Sequence, residues 1–128
     1  MKRRVVITGM GVVSPIGNNV EEVWDALQEG RCGIGKVTHF DTSEFRAKLA
    51  GEVKDLDMEQ YFTKRELKFN DRFTQFARIA AKQAYADSGL SEDTIKADAF
   101  GVILGSGIGG IATIEGASTT LKDRGPSR

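Results

Sequence analysis

The sequence is poor in the features that tie a fold to a covalent staple, a charged partner or a bilayer. It has one cysteine, Cys32, so no internal disulfide is available and a reducing compartment fits. Net charge is absent: 18 basic residues balance 18 acidic ones, so composition calls for neither nucleic acid nor an anionic membrane as partner. No apolar run is long enough to span a bilayer. Met1-Lys-Arg-Arg before Val5-Val6-Ile7 has the outline of a signal peptide, but glycines and Pro15 interrupt the apolar part. No small-x-small cleavage site follows, and a cytoplasmic location is expected. Internal repeats and low-complexity segments are missing too. What remains is 128 residues with an ordinary apolar fraction, enough for one domain that buries about two-thirds of its unfolded surface.

Glycine, by contrast, is plentiful and placed with purpose. Ala99-Phe-Gly-Val-Ile-Leu-Gly-Ser-Gly-Ile-Gly-Gly110 reads as a buried strand that runs into four glycines with Ile108 held among them. Glycine lets another chain or a ligand approach the backbone, so this run predicts close packing on the main chain. An earlier strand is predicted at Arg4–Thr8, apolar on both faces and so central in a sheet. Gly9 and Gly11 then loosen the backbone before Pro15 and Gly17.

Asn18 or Asn19, with Glu21 or Glu22, caps a helix whose apolar residues recur at Val20, Val23, Trp24 and Leu27, a face expected to be buried. Gly30 stops it. Lys36–Phe40 and Leu49–Val53 are expected as short or edge strands. A second capping box, Thr63-Lys-Arg-Glu66, opens a helical region that either continues or restarts near Asp71. Phe73, Phe76, Ala77, Ala80, Ala81 and Ala84 fall on one stripe, and the alanines there let a neighbouring element come close. Gly89 ends that helix, and a last one is predicted from about Ile111 to Lys122, stopped by Gly125-Pro126. Helices separating short buried strands indicate an α/β fold. Three or four strands make a thin sheet for so many apolar faces, and no strand closes the chain, so a larger parent protein is expected.

Three chemical readings of these residues compete with bland ones. Gly105, Gly107 and Gly110 fit the dinucleotide fingerprint G-x-G-x-x-G. That site also needs a second parallel strand ending in an acidic residue, and Asp123 stands in a polar turn instead. Cys32 and His39 suggest a nucleophile and base. Cys32, however, follows a helix C-terminus, where the dipole disfavours a thiolate, and no carboxylate orienter for His39 is evident. Structural roles are expected for both. Lys64, Lys68 and Arg72 recur at i, i+4 and i+8 with Arg65 beside them, between the net-acidic segments 41–59 and 87–98. Such a cluster is either a solvated helix face or a dock for an acidic partner.

Taken residue by residue, Arg4-Val-Val-Ile-Thr-Gly-Met-Gly-Val-Val-Ser-Pro-Ile-Gly17 and Gly105-Ser-Gly-Ile-Gly-Gly110 resemble β-ketoacyl-[acyl-carrier-protein] synthases of the thiolase superfamily. So do Gly33-Ile34, His39-Phe-Asp-Thr-Ser43, Ala50-Gly-Glu-Val53 and Asp87-Ser-Gly-Leu90. The likeness is nearest to the elongating type II synthases, in which Ile108 within the glycine run is characteristic. It covers the whole chain but only about the first third of such an enzyme. It implies a thiolase-like layered α/β/α/β/α fold with a mixed sheet, of which residues 1–128 are the N-terminal portion. It implies decarboxylative Claisen condensation of an acyl thioester with a malonyl thioester. The family's nucleophilic cysteine and both catalytic histidines would lie beyond Arg128, so no catalytic residue is expected here. Neither Cys32 nor His39 matches a catalytic position.

The resemblance also implies site residues. Gly107 and Ile108 would line and gate the acyl pocket near a homodimer interface, with Ile111 and Ile114 as neighbours. Arg65 and Lys68 match positions of a cationic patch that receives the acidic acyl carrier protein, while Phe69 stands where another basic residue is common. Arg124 and Arg128 lie where further carrier contacts are expected. No metal or redox cofactor is implied, since the phosphopantetheine arm comes with the carrier. A non-catalytic partner resembling chain-length factors is the alternative within the family's reach, and a dinucleotide-binding domain the one outside it.

Overall fold

In a computed structural model, which describes residues 3–126, the described residues form four α-helices, two short 3₁₀ turns and one small two-stranded hairpin. The first helix, α1 (Val20–Gln28), begins where Asn19 accepts from the backbone N–H of Glu22 at 2.9 Å. Glu22 in turn accepts from the Asn18 N–H at 2.7 Å, a reciprocal cap at the positive end of the helix. Gly30 closes it with φ +67°, while Arg31 N–H donates to the Ala26 carbonyl at 2.8 Å.

Helix α3 (Arg72–Asp87) is the spine of the fold. Ile79 is fully buried on it and Gln75 nearly so. The chain segment Gly9-Met-Gly-Val12 lies directly on its backbone. A Cβ at Gly11 would collide with the Ala80 carbonyl, and one at Gly9 with the Ala84 carbonyl. This is the close approach that the alanine stripe predicts. Side chains of α3 finish the seam: Gln83 accepts from Val12 N–H at 2.9 Å and donates to the Asn18 carbonyl at 2.7 Å. Asp87 accepts from Met10 N–H at 2.8 Å.

The hairpin pairs β1 (Ile34–Lys36) antiparallel to β2 (Leu49–Gly51), with Gly35 opposite Ala50. Pairing starts two residues earlier than Lys36, because Gly33 and Gly51 seat the hairpin against Pro15 and Ile16. Helix α2 (Lys64–Phe69) carries the predicted capping box, with Thr63 and Glu66 each accepting from the other's backbone. It then stops, and α3 restarts at Arg72. Lys64, Lys68 and Arg72 therefore do not share one continuous helical stripe. Last comes α4 (Ile111–Arg124), ended by Gly125 at φ +76°.

Three expectations are corrected. Arg4–Thr8 and Ala99–Ser106 are not strands among the described residues, and a short 3₁₀ turn covers Ala97–Ala99. A strand exists through a second backbone, and neither segment meets one here: Val5 is 94% exposed and Ile103 97%. The apolar face of α1 is only half-buried, since Trp24 and Leu27 are each 60% exposed while Val20 and Val23 are partly covered. That face instead lines an open apolar hollow of about 650 Å³ with Gly9–Val12 and Ala84. Helix and strand content together remain those of an α/β chain.

Candidate functional site: the glycine hinge and the basic helix

The glycine run is anchored at its base and free at its tip. Ser106 accepts from Gly109 N–H at 3.0 Å, and Gly109 adopts φ +82° with the Phe73 ring 3.4 Å from where its Cβ would stand. A Cβ on Gly110 would collide with the Asp71 carboxylate, which also accepts from the Thr113 hydroxyl on α4. So the predicted packing on the backbone is real at Gly109 and Gly110. At Gly105 and Gly107 it is not: nothing lies within 4 Å of either position. Ile108, between free and anchored glycines, is 69% exposed.

Ile111 and Ile114 stand three residues apart on the first turns of α4 and share a face. Both are exposed. Helix α4 therefore presents Ile111 and Ile114 together near its N-terminal end, and Ile108 lies three residues before its first turn. Arg124 sits in its last turn, about 20 Å away along the axis at 1.5 Å per residue. Arg128 lies outside the described residues.

On α2, Arg65 and Lys68 are both exposed. Lys68 borders a hollow of about 410 Å³ whose other walls include Asp71, Phe73, Gly109, Gly110 and Ile111. The two clusters singled out by sequence thus meet around one cavity, with a lysine at its edge and the hinge across from it. Phe73 and Asp71 are the residues that sequence reasoning missed as hinge contacts. Phe73 was legible only as part of an apolar stripe, and Asp71 only as a helix start.

The orientation of α2 depends on α3. Arg78 donates to Glu66 at 2.9 Å, and its guanidinium carbon stands 4.8 Å from the centroid of the buried Phe62 ring. The Thr63 backbone N–H and the Arg78 guanidinium together hold the Glu66 carboxyl at about 2, well below the ordinary carboxylate value. At the other end of α2, Gln75 donates to the carbonyls of Asn70 at 2.7 Å and Leu67 at 3.3 Å.

Cys32 and His39 come out differently from the sequence reading in one respect. A carboxylate does stand near His39, with Glu52 at 3.8 Å. Glu52 is itself held low by donation from the backbone and hydroxyl of Thr38. Cys32 is exposed beside Arg31 in a hollow lined by Pro15, Ile16 and Lys54. Among the described residues no group of three or more His, Cys, Asp or Glu side chains is placed to hold a metal, and no helix is long and apolar enough to cross a membrane. The glycine fingerprint is followed by α4 as a dinucleotide site requires, but Asp123 lies in the last turn of that helix and not on a strand.

Comparison with known proteins adds the context. Residues 2–128 match the family described as "Beta-ketoacyl synthase, N-terminal domain". Over 127 residues the chain is 46% identical to 3-oxoacyl-[acyl-carrier-protein] synthase 2 of Synechocystis sp., a match covering 99% of this chain and 30% of that protein. The synthase 2 of Staphylococcus aureus strain COL is 47% identical over 126 residues, covering 98% of this chain and 30% of that protein. A solved structure, "The ishigamide ketosynthase/chain length factor", aligns with TM-score 0.66 and 41% identity over 74% of this chain and 24% of that one. The chain spans about 30% of the length of the curated relatives it matches.

Proposed function

The chain belongs to the β-ketoacyl synthase N-terminal domain family, and from that premise we propose that it forms the first third of a fatty-acid condensing enzyme. The parent fold would be the layered α/β/α/β/α arrangement of the thiolase superfamily, with a mixed sheet. Its exposed apolar segments, Val5–Ile7 and Val102–Leu104, would find their sheet neighbours within that larger body. The family match over residues 2–128 is the observation that carries the reading.

In the parent enzyme an acyl group passes from the carrier's phosphopantetheine thiol to a cysteine beyond Arg128, forming an enzyme thioester. Malonyl carrier protein then loses carbon dioxide, aided by two histidines that also lie later in the polypeptide. The resulting enolate carbon bonds to the acyl carbonyl, backbone N–H groups hold the oxyanion, and the cysteine leaves as thiolate. The present residues supply surroundings for that chemistry and none of its reacting groups. Ile108, with Gly107, Ile111 and Ile114, forms acyl-pocket wall near a homodimer surface. The free glycines on one side of Ile108 and the Phe73-backed Gly109 on the other let it swing while its base stays fixed. Arg65, Lys68, Arg124 and Arg128 form a dock for acidic carrier protein, steering its approach in a salt-dependent way. No metal or redox group takes part, and the enzyme works in the cytoplasm.

The test is condensation by the full-length parent protein, supplied with acyl and malonyl carrier proteins. Products two carbons longer, with stoichiometric carbon dioxide, are expected, and none from residues 1–128 alone. Turnover by the short chain alone would show that the chemistry has been misplaced. A second reading, a non-catalytic partner subunit, is compatible with the likeness to the solved ketosynthase/chain length factor. A residue other than cysteine at the parent's nucleophile position would decide for it.

A further inference from the structure

Helix α2 has six residues, fewer than two turns, and no helix that short holds its own orientation in water. Something else must aim Arg65 and Lys68. We propose that Arg78 and Gln75 of α3, acting through Glu66 and through the last carbonyls of α2, are positioning residues for the cationic face that receives the carrier. This rests on the docking role assigned to α2 above.

At the N-terminal end the tie is a relay. Arg78 donates to Glu66 Oε1 at 2.9 Å, while Glu66 Oε2 accepts from the backbone and the hydroxyl of Thr63 at 2.9 and 3.0 Å. Stacking on Phe62, which is 5% exposed, holds the guanidinium in place from behind. At the C-terminal end Gln75, also 5% exposed, directs its amide group to the Leu67 and Asn70 carbonyls. The helix is thus clamped at both ends by residues near the middle and start of α3. Arg65 and Lys68 sit one residue from each clamped group, at Glu66 and Leu67. A rotation of α2 by roughly 20° about its axis would swing a lysine ammonium, about 8 Å from that axis, by about 3 Å. That is enough to lose a direct contact with an acidic partner.

Charge and position make opposite predictions here, which isolates the effect. Glu66→Gln keeps the capping box, since glutamine serves at that position as glutamate does, but it removes the ion pair to Arg78. It also makes the patch more positive by one charge. If net charge alone governed docking, the variant would bind an acidic carrier more tightly. Under the positioning role it binds less tightly. The experiment compares full-length parent enzyme, Glu66→Gln, Arg78→Met and Arg78→Lys on two substrates: acyl carrier protein and the same acyl group on free pantetheine. Expected are KM increases of about 3- to 10-fold on the carrier for Glu66→Gln and Arg78→Met, with kcat and the pantetheine reaction unchanged. Arg78→Lys, which keeps a charge but not the fork, recovers part of the loss. A carrier KM that is unchanged or lowered in Glu66→Gln overturns the proposal. So does an equal loss on both substrates, which marks general damage to the fold. If the unmodified parent condenses neither substrate, the docking reading itself fails, and this inference with it.

Discussion

Replacing Gly11 by alanine puts a methyl group where α3 already has its main chain. The new Cβ would collide with the Ala80 carbonyl and stand 2.8 Å from both Ala84 N and Gln83 Cβ. Ordinary contact begins near 3.4 Å, and the Ala80 overlap is tighter than the other two, so the segment must lift by well over the roughly 0.6 Å those two require, because helix backbone does not yield. Lifting stretches the bond from Val12 N–H to Gln83, now 2.9 Å. Forcing a methyl into a packed seam costs about 1–3 kcal/mol, and a lost neutral hydrogen bond adds about 1 kcal/mol, for a total of about 2–4 kcal/mol. The assay is urea unfolding of the full-length protein beside Gly30→Ala as control. Gly30 has φ +67° but open space around its Cβ position, so alanine there costs only about 1 kcal/mol of left-handed strain. Close approach is refuted as the controlling factor if Gly11→Ala proves no more damaging than Gly30→Ala.

Two further outcomes follow from the same geometry. Glu66 titrates near 2 in the fold against an ordinary 4.5, so its contribution is complete above about pH 5 and fades as pH falls from 4.5 toward 2. The stability gap between the protein and Glu66→Gln, followed by urea midpoints, should be flat from pH 5 to 7 and shrink below; a gap that widens on acidification would contradict the assigned bonding. Ile108→Phe in the parent enzyme should narrow the acyl pocket and shift products toward shorter chains by mass spectrometry, whereas an unaltered product distribution removes Ile108 from the acyl wall.

What was legible in the sequence is what is local. Asn19 with Glu22 and Thr63 with Glu66 announce helix starts because each cap satisfies backbone groups within three residues. Gly30, Gly89 and Gly125 announce helix ends for the same reason, and all three have positive φ. The alanines of α3 foretold a close neighbour, though not that Gly9 and Gly11 would be it. Illegible was whatever depends on a distant partner. The apolar pattern of Arg4–Thr8 records a buried destination but cannot supply the adjoining strand, and the exposed face of Trp24 and Leu27 carries the same message. Nothing in the sequence singles out Gln75 and Arg78, yet they clamp α2 from across a helix break. Asp71 reaches Thr113 across 42 positions, a link with no sequence signal at all. The basic cluster was recognisable as a group; its division between two helices was not, because the break falls at Asn70-Asp71, where a restart and a continuation look alike.

The central proposal is that Ile108 lines the path of a fatty chain. A crystal structure of the full-length enzyme carrying an acyl group on its nucleophile measures this directly. The terminal carbons should lie in van der Waals contact with Ile108, with that side chain or its flanking glycines moved from their unacylated position. A chain seated elsewhere, with residues 105–110 unchanged, would contradict it.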